Sequence, residues 1–379
     1  MENILNKAQE IKFFENEVLD LKKNVFSNDI LQFSKAIQKL YHNLPNIIPA
    51  QKTKNSVKIF DIERLYIISE NIEKNEKNLL SIFKKFDLEN DNGRRELKTI
   101  PENFFIDINK LKMIYPNCIQ FLELIEQFAA LSCKRKQNHR NLSFPPILLS
   151  GPPGVGKTAI VEAVARLLNV QSRKIDFSSL TSSFVIAGMS SCWSEAKTGC
   201  IVDILRDHSD ANPILILDEL DKASKPEKHD PLGPLHTLLE KHSAKNFIDE
   251  ALDVAIDASY IQYVATANDV NNIPESILSR FINIEIKAVT GNDHKRVTQS
   301  IFNAHLKAEH IAEHFSDNIT DDVFAALEPF SPRDVKLKLH RALAKAAHRS
   351  QDNDAIILQK DDLNLVEQND NSPKIGFVL

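Results

Sequence analysis

Apolar positions follow two rhythms along this 379-residue chain. Between residues 142 and 290, short continuous apolar runs bounded by turn residues alternate with stretches of helical period; on either side only the helical period persists. The runs predict strands over 147–150, 172–177, 214–218, 260–265 and 282–286. Strands this apolar, separated by helices, predict a parallel sheet covered on both faces. Upstream, spacings such as Ile4/Leu5/Ala8/Ile11 and Ile30/Leu31/Phe33/Ile37/Leu40 predict helices, broken near Pro45, Pro49 and Gly93, with a further helix over 118–132. Beyond Gly291, helices are predicted over 291–309, 320–328, 332–349 and 360–368. The chain thus divides into an all-α N-terminal region (1–135), an α/β domain (142–290), a small helical domain (291–368) and a tail (369–379). The phenylalanines of the first region, among them Phe13, Phe14, Phe26, Phe33, Phe83, Phe86, Phe104 and Phe105, suit a packed bundle or a partner-docking surface.

Glycine usage adds the first chemistry. The chain has only 9 glycines, where average usage would give roughly 27. Three of them fall in Ser150–Thr158, SGPPGVGKT, after one predicted strand and before one predicted helix (159–170). Gly151, Pro152, Pro153, Gly154, Val155 and Gly156 form a loop whose backbone N–H groups can curl around phosphates. Lys157 is spaced to reach the β- and γ-phosphates, and the Thr158 hydroxyl to ligand Mg²⁺. The helix that follows points its N-terminal dipole at the same anion. The cofactor pair expected is ATP with Mg²⁺.

Further residues decide what is done with the phosphate. The run ILILDELDK (214–222) ends a strand in two acids. Asp218 can hold the water shell of Mg²⁺, and Glu219 can orient and polarise a water for in-line attack. YIQYVATAND (260–269) ends in Asn268, whose amide can bond the lytic water and a γ-phosphate oxygen. Arg280, after IPESILS, sits where a surface arginine can enter a neighbouring copy's nucleotide site. Arg333, in SPRDVKLKL (331–339), opens a helix of the C-terminal domain and can couple that domain's orientation to the nucleotide.

The series GPPGVGKT, ILILDEL, ATAND, ILSRF and SPRDV resembles the AAA+ ATPase core, and DELDKA (218–223), FIDEALDVAIDAS (247–259) and NDVNNIPESILSRF (268–281) resemble most closely the ATPase module of the Lon proteases. The resemblance covers about 142–368. It implies a five-stranded sheet with a helical lid, assembly into a ring, usually hexameric, and nucleotide at subunit boundaries. It assigns Asn268 as sensor 1, Arg280 as the trans-acting finger and Arg333 as sensor 2.

The sequence departs from that family in three places. Lon proteases carry a Ser-Lys peptidase domain after the lid, whereas this chain ends at Leu379, so peptide cleavage is not expected of it and any peptidase would be a separate partner. Lon modules also place a Tyr-bearing loop before a Gly-Lys-Ile-Ile helix; WSEAKTGCIVDIL (193–205) puts Trp193, the single tryptophan, at the Tyr position. Trp193 either grips an extended substrate in a central pore or packs into a core or subunit interface. The first 135 residues do not read as the Lon N-domain.

Charge and cysteine content bound the remaining possibilities. A formal net charge of −5 gives no global field for non-specific nucleic-acid binding. The basic stretch 134–141 invites that reading but is too short to make a groove-sized patch. Four cysteines without metal-ligand spacing predict reduced thiols and, with no apolar run of membrane length, a cytoplasmic protein outside the membrane. His310 and His314 lie at helical i,i+4 spacing and could share a metal, though the sequence offers no third ligand. The tail IGFVL (375–379) could dock on a partner ring or pack locally. The expected function is a ring-forming Mg-ATPase that remodels, unfolds or translocates a protein partner. The alternatives are a nucleic-acid-associated AAA+ ATPase (a transposition helper or defence-system motor) and a nucleotide-dependent scaffold.

Overall fold

A computed structural model describes residues 55–72, 77–88, 91–136, 139–190, 196–224, 229–350 and 355–363. In chain order, β1 (Ser56–Lys58), α1 (Ile62–Asn71), α2 (Lys77–Phe83), β2 (Arg94–Glu96), α3 (Phe104–Ile114) and α4 (Ile119–Cys133) precede the first long-range parallel strand. Then come β3 (Ile147–Ser150), α5 (Lys157–Leu168), β4 (Ser172–Asp176), α6 (Cys200–Asp207), β5 (Ile214–Asp218), the pair β6 (Phe247–Asp249) and β7 (Val254–Ile256), β8 (Gln262–Ala267) and β9 (Ile282–Glu285). The C-terminal helices are α7 (Gly291–Ala308), α8 (Asp321–Leu327) and α9 (Pro332–Arg349).

The main sheet is five-stranded and parallel, in the order β4-β5-β8-β3-β9. Its strands are the five predicted runs, shifted by at most two residues. Burial explains their apolar character: β3 and β8 are buried along their whole length, and β5 up to its last residue. Successive residues of β5 serve opposite faces. Ile214 and Ile216 pack with α5, while Leu215 and Leu217 pack with α6. The edge strand β4 carries Arg173 and Lys174, the kind of charge that discourages further pairing at a sheet edge.

The N-terminal region needs a correction. It is not all-α: β1 and β2 pair antiparallel, with Val57 opposite Arg95. The run GRRE around Gly93 reads as a polar break in sequence, yet Gly93 at φ 67 turns the chain so that its carbonyl accepts from Ile59 and Phe60. The ladder continues onto the α/β body through Glu96 N–H to the Ser209 carbonyl and Ala211 N–H to the Glu96 carbonyl, both 2.7 Å. Nor do residues 55–135 stand apart from the sheet. Phe60 and Phe86 share a core with Leu148 and Leu215, and Phe104, Ile108 and Phe121 share the other with Ile147 and Ile214. Of the aromatics named from the sequence, Phe83 and Phe86 pack on one face of the sheet and Phe104 on the other, Phe105 is exposed, and Phe13, Phe14, Phe26 and Phe33 lie outside the described residues.

Helices α7, α8 and α9 close a separate core around Phe302, Leu306, Val323, Leu339 and Leu343. Ser331 caps α9 by accepting from the Asp334 N–H at 3.3 Å, with Pro332 at the first helical position, so this helix starts where the sequence predicted. Among the described residues no helix is long and apolar enough to cross a membrane.

Candidate nucleotide site

Three adjacent strands, β5, β8 and β3, end on the same side of the sheet and carry the predicted residues there. The carboxyl ends of parallel strands are where ligands gather in open α/β sheets, because the connections open a crevice there. Between β3 and α5, Gly151, Gly154 and Gly156 all take positive φ (145, 79 and 99). At Gly151 no side chain fits: a Cβ would lie 2.1 Å from the Ile286 carbonyl oxygen. At Gly154 a Cβ would meet Ser331 Oγ at 2.8 Å and Arg333 Cβ at 3.2 Å, so the start of α9 rests directly on the loop.

Lys157 is buried, and its Nζ donates to the carbonyls of Gly151 (2.7 Å) and Pro152 (2.9 Å) and to Asn268 Oδ1 (2.9 Å). Burial lowers its pKa, with Asp221 and Asp218 pulling the other way. One carboxylate oxygen of Asp218 accepts from both Thr158 Oγ1 and Thr266 Oγ1 at 2.7 Å; the other lies 3.5 Å from Lys174 Nζ. A hydroxyl beside a half-buried carboxylate, all hard oxygen donors next to a phosphate loop, fits Mg²⁺. Glu219 follows in the left-handed region (φ 53, ψ 46), uncommon for a residue with a side chain, and its N–H donates to Thr266 Oγ1 at 3.0 Å.

Arg333 lies in the first turn of α9, exposed, its Cβ beside Gly154. Arg280 is not part of this hydrogen-bonded group. It pairs with Glu240 at 2.9 Å and donates to the Ser276 carbonyl, leaving its Nε buried without a partner. Trp193 and the tail 369–379 lie outside the described residues. His310 and His314 do not share a helix face: α7 stops at Ala308, His310 takes φ 57, and the Ile311 N–H turns back to the Leu306 carbonyl, so the i,i+4 spacing is lost.

Three contributors escaped the sequence reading. Asp221, its side chain fully buried, accepts the N–H groups of Asn268 (3.2 Å) and Asp269 (3.3 Å) and so fixes the end of β8. Its signal in the sequence is its place in DELDKA, two residues after Glu219. Asn117 donates to the carbonyls of Val155 and Lys287, both at 3.1 Å, pinning the phosphate loop to the strand exit. Tyr115 places its ring 4.0 Å from where a Cβ on Gly156 would be. Nothing in YPNC beyond a helix break pointed to either.

A glycine-rich loop after β3, an acid pair at the end of β5 and an asparagine after the intervening β8 are the arrangement of a P-loop ATPase domain. Residues 147–288 match the ATPase family associated with various cellular activities (AAA), and the chain carries such a domain. Over this region it is related to the ATPase part of Lon proteases. It is 40% identical over 145 residues to the mitochondrial Lon protease homolog of Zea mays, covering 38% of this chain and 15% of that protein. It is 26% identical over 245 residues to the Lon protease of Clostridioides difficile, covering 64% and 31%. The chain therefore spans less than a third of the length of these curated relatives. It also superposes on a Thermotoga maritima RuvB mutant with a TM-score of 0.42 at 15% identity, over 64% of this chain and 67% of that one.

Proposed function

We propose that the chain binds and hydrolyses Mg-ATP as one subunit of a ring, and uses the cycle to remodel, unfold or translocate a protein partner. The supporting observation is the direct bonding of Lys157 to Asn268 and of Thr158 to Asp218, across 111 and 60 residues of sequence. In this reading the ammonium of Lys157 exchanges its carbonyl partners for β- and γ-phosphate oxygens. Thr158 directly, and Asp218 through water, would hold Mg²⁺, which would supply positive charge to the phosphates when bound. Glu219 takes a proton from the attacking water while Asn268 aligns it. Arg280 of an adjacent copy neutralises charge developing on the γ-phosphoryl group, and Arg333 reports the nucleotide to α9. The hexameric ring and Trp193 as pore-loop gripper belong to this proposal, as does a cytoplasmic location.

The test is phosphate release by the full chain with Mg-ATP, alone and with an unfolded protein or with DNA. Stimulation by the unfolded protein supports the reading. Stimulation by DNA that falls steeply with salt replaces it with the nucleic-acid alternative. No turnover in an assembled sample overturns it.

A further inference from the structure

The described residues hold one group of three side chains able to share a metal ion, and it lies in the C-terminal helical domain. His305 and Glu309 stand one turn apart at the end of α7, and His340 projects from α9, with their ligand atoms within 4.8 Å of one another. His305 Nε2 and His340 Nδ1 face each other at 2.6 Å, the rings edge to face at 66°. Two ring nitrogens at this separation share a single proton, because two bare lone pairs repel and two N–H bonds collide. The two ring nitrogens therefore face each other across a single proton that a metal ion could replace, with the Glu309 carboxylate within 4.8 Å.

We propose that His305, Glu309 and His340 form a site for a divalent transition-metal ion, Zn²⁺ foremost, completed by water. Two imidazole nitrogens and one carboxylate oxygen suit Zn²⁺, Ni²⁺ or Cu²⁺, whereas Mg²⁺ prefers the all-oxygen set at Thr158 and Asp218. With Zn–N near 2.0–2.1 Å, tetrahedral geometry sets ligand nitrogens about 3.3 Å apart, roughly 0.7 Å wider than here. Small side-chain rotations supply that opening, since Glu309 and His340 are exposed and His305 half-buried. The ion would staple α7, which begins at Gly291 where the chain leaves the sheet, to α9, whose first turn rests on Gly154. The two long helices would then turn as one piece. This site is independent of the ATPase reading.

The experiment uses the full chain, stripped of metals with a chelator and held nucleotide-free in excess Mg²⁺, titrated with Co²⁺ as a spectroscopic substitute for Zn²⁺. The wild type should show the d–d absorption of a low-coordinate Co²⁺ site, saturating at one ion per chain and displaced by Zn²⁺, and Zn²⁺ should raise its thermal midpoint. His340→Ala should lose the spectrum and the thermal shift, and Glu309→Gln should weaken binding by about tenfold or more. His340→Gln, with its far-UV circular dichroism compared to wild type, guards against a folding defect. An unchanged Co²⁺ spectrum in His340→Ala and His340→Gln would place the ion elsewhere, for instance on cysteine thiols, and overturn the proposal. So would a wild type that binds no Co²⁺.

Discussion

The Nζ of Lys157 donates to Oδ1 of Asn268 at 2.9 Å, joining the phosphate loop to the end of a strand 111 residues further on. The bond exists because β8 inserts between β3 and β5 instead of following them at the sheet edge. In the proposed reading it places the group that would bind phosphate within reach of the group that would sense it.

Substitution should separate these two roles. Lys157→Ala is expected to abolish ATP binding, read as lost anisotropy change with a fluorescent ATP analogue. Asn268→Ala should keep binding within a few-fold and lower turnover about 10²-fold, as expected when one polar group aimed at the reacting centre is removed. Glu219→Gln should bind ATP as wild type and lose turnover by roughly 10²–10⁴. Wild-type turnover in Glu219→Gln would remove it from the role of base.

Asp221→Ala strips the acceptor from two backbone N–H groups at the end of β8. A fully buried donor left unpaired costs about 1–3 kcal/mol, and because both of these bonds are only part-buried the total loss is expected near the lower end of that range. Chemical denaturation should show that loss. Turnover should fall alongside it through displacement of Asn268, while Asp221→Asn, which keeps an acceptor oxygen, should recover part of both.

Arg280 is held within its own chain by Glu240 at 2.9 Å. If it serves a neighbouring copy, Arg280→Ala and Lys157→Ala chains, each inactive alone, should regain phosphate release when mixed. The mixed ring contains sites with an intact Lys157 facing an intact Arg280. No recovery on mixing, with co-assembly shown by light scattering, would count against a finger acting between copies.

Asp249 is fully buried and accepts the N–H groups of Gly199 (2.8 Å), Ala251 (3.0 Å) and Leu252 (3.3 Å). Burial raises its pKa to about 6, against 3.8 ordinarily, and the three N–H bonds only partly offset this. The folded state therefore binds this proton more tightly than the unfolded chain. Its contribution to stability is fully present below about pH 4 and is lost as pH rises through 6, by about 3 kcal/mol. The difference in unfolding free energy between wild type and Asp249→Asn, measured from pH 4 to 7.5, should shift in favour of Asp249→Asn by that order. Gly188, where a Cβ would lie 2.6 Å from Asp249 Oδ1, also rests against this carboxylate.

Much of this molecule was legible in its residues because the signals were local. Phosphate binding needs consecutive backbone N–H groups, so SGPPGVGKT could be read without knowing its neighbours. The five strands were legible because burial on both faces demands unbroken apolar runs, and α9 because Ser331 and Pro332 mark its start. The antiparallel pair of β1 and β2 was not: three-residue strands carry no period, and Arg94–Glu96 reads as polar although Arg95 is buried, its guanidinium bonded to the Leu205 carbonyl and Asp91.

Sequence by itself determined that a glycine-rich loop, an acid pair and an asparagine occur in this order on an α/β scaffold, since each depends on residues a few positions apart. Only the tertiary structure decided which of them touch, that Asp221, Asn117 and Tyr115 support them, and that His305 meets His340 and not a histidine on its own helix. Those relations depend on strand order and helix packing, and pairing between distant segments leaves no periodic trace in the chain.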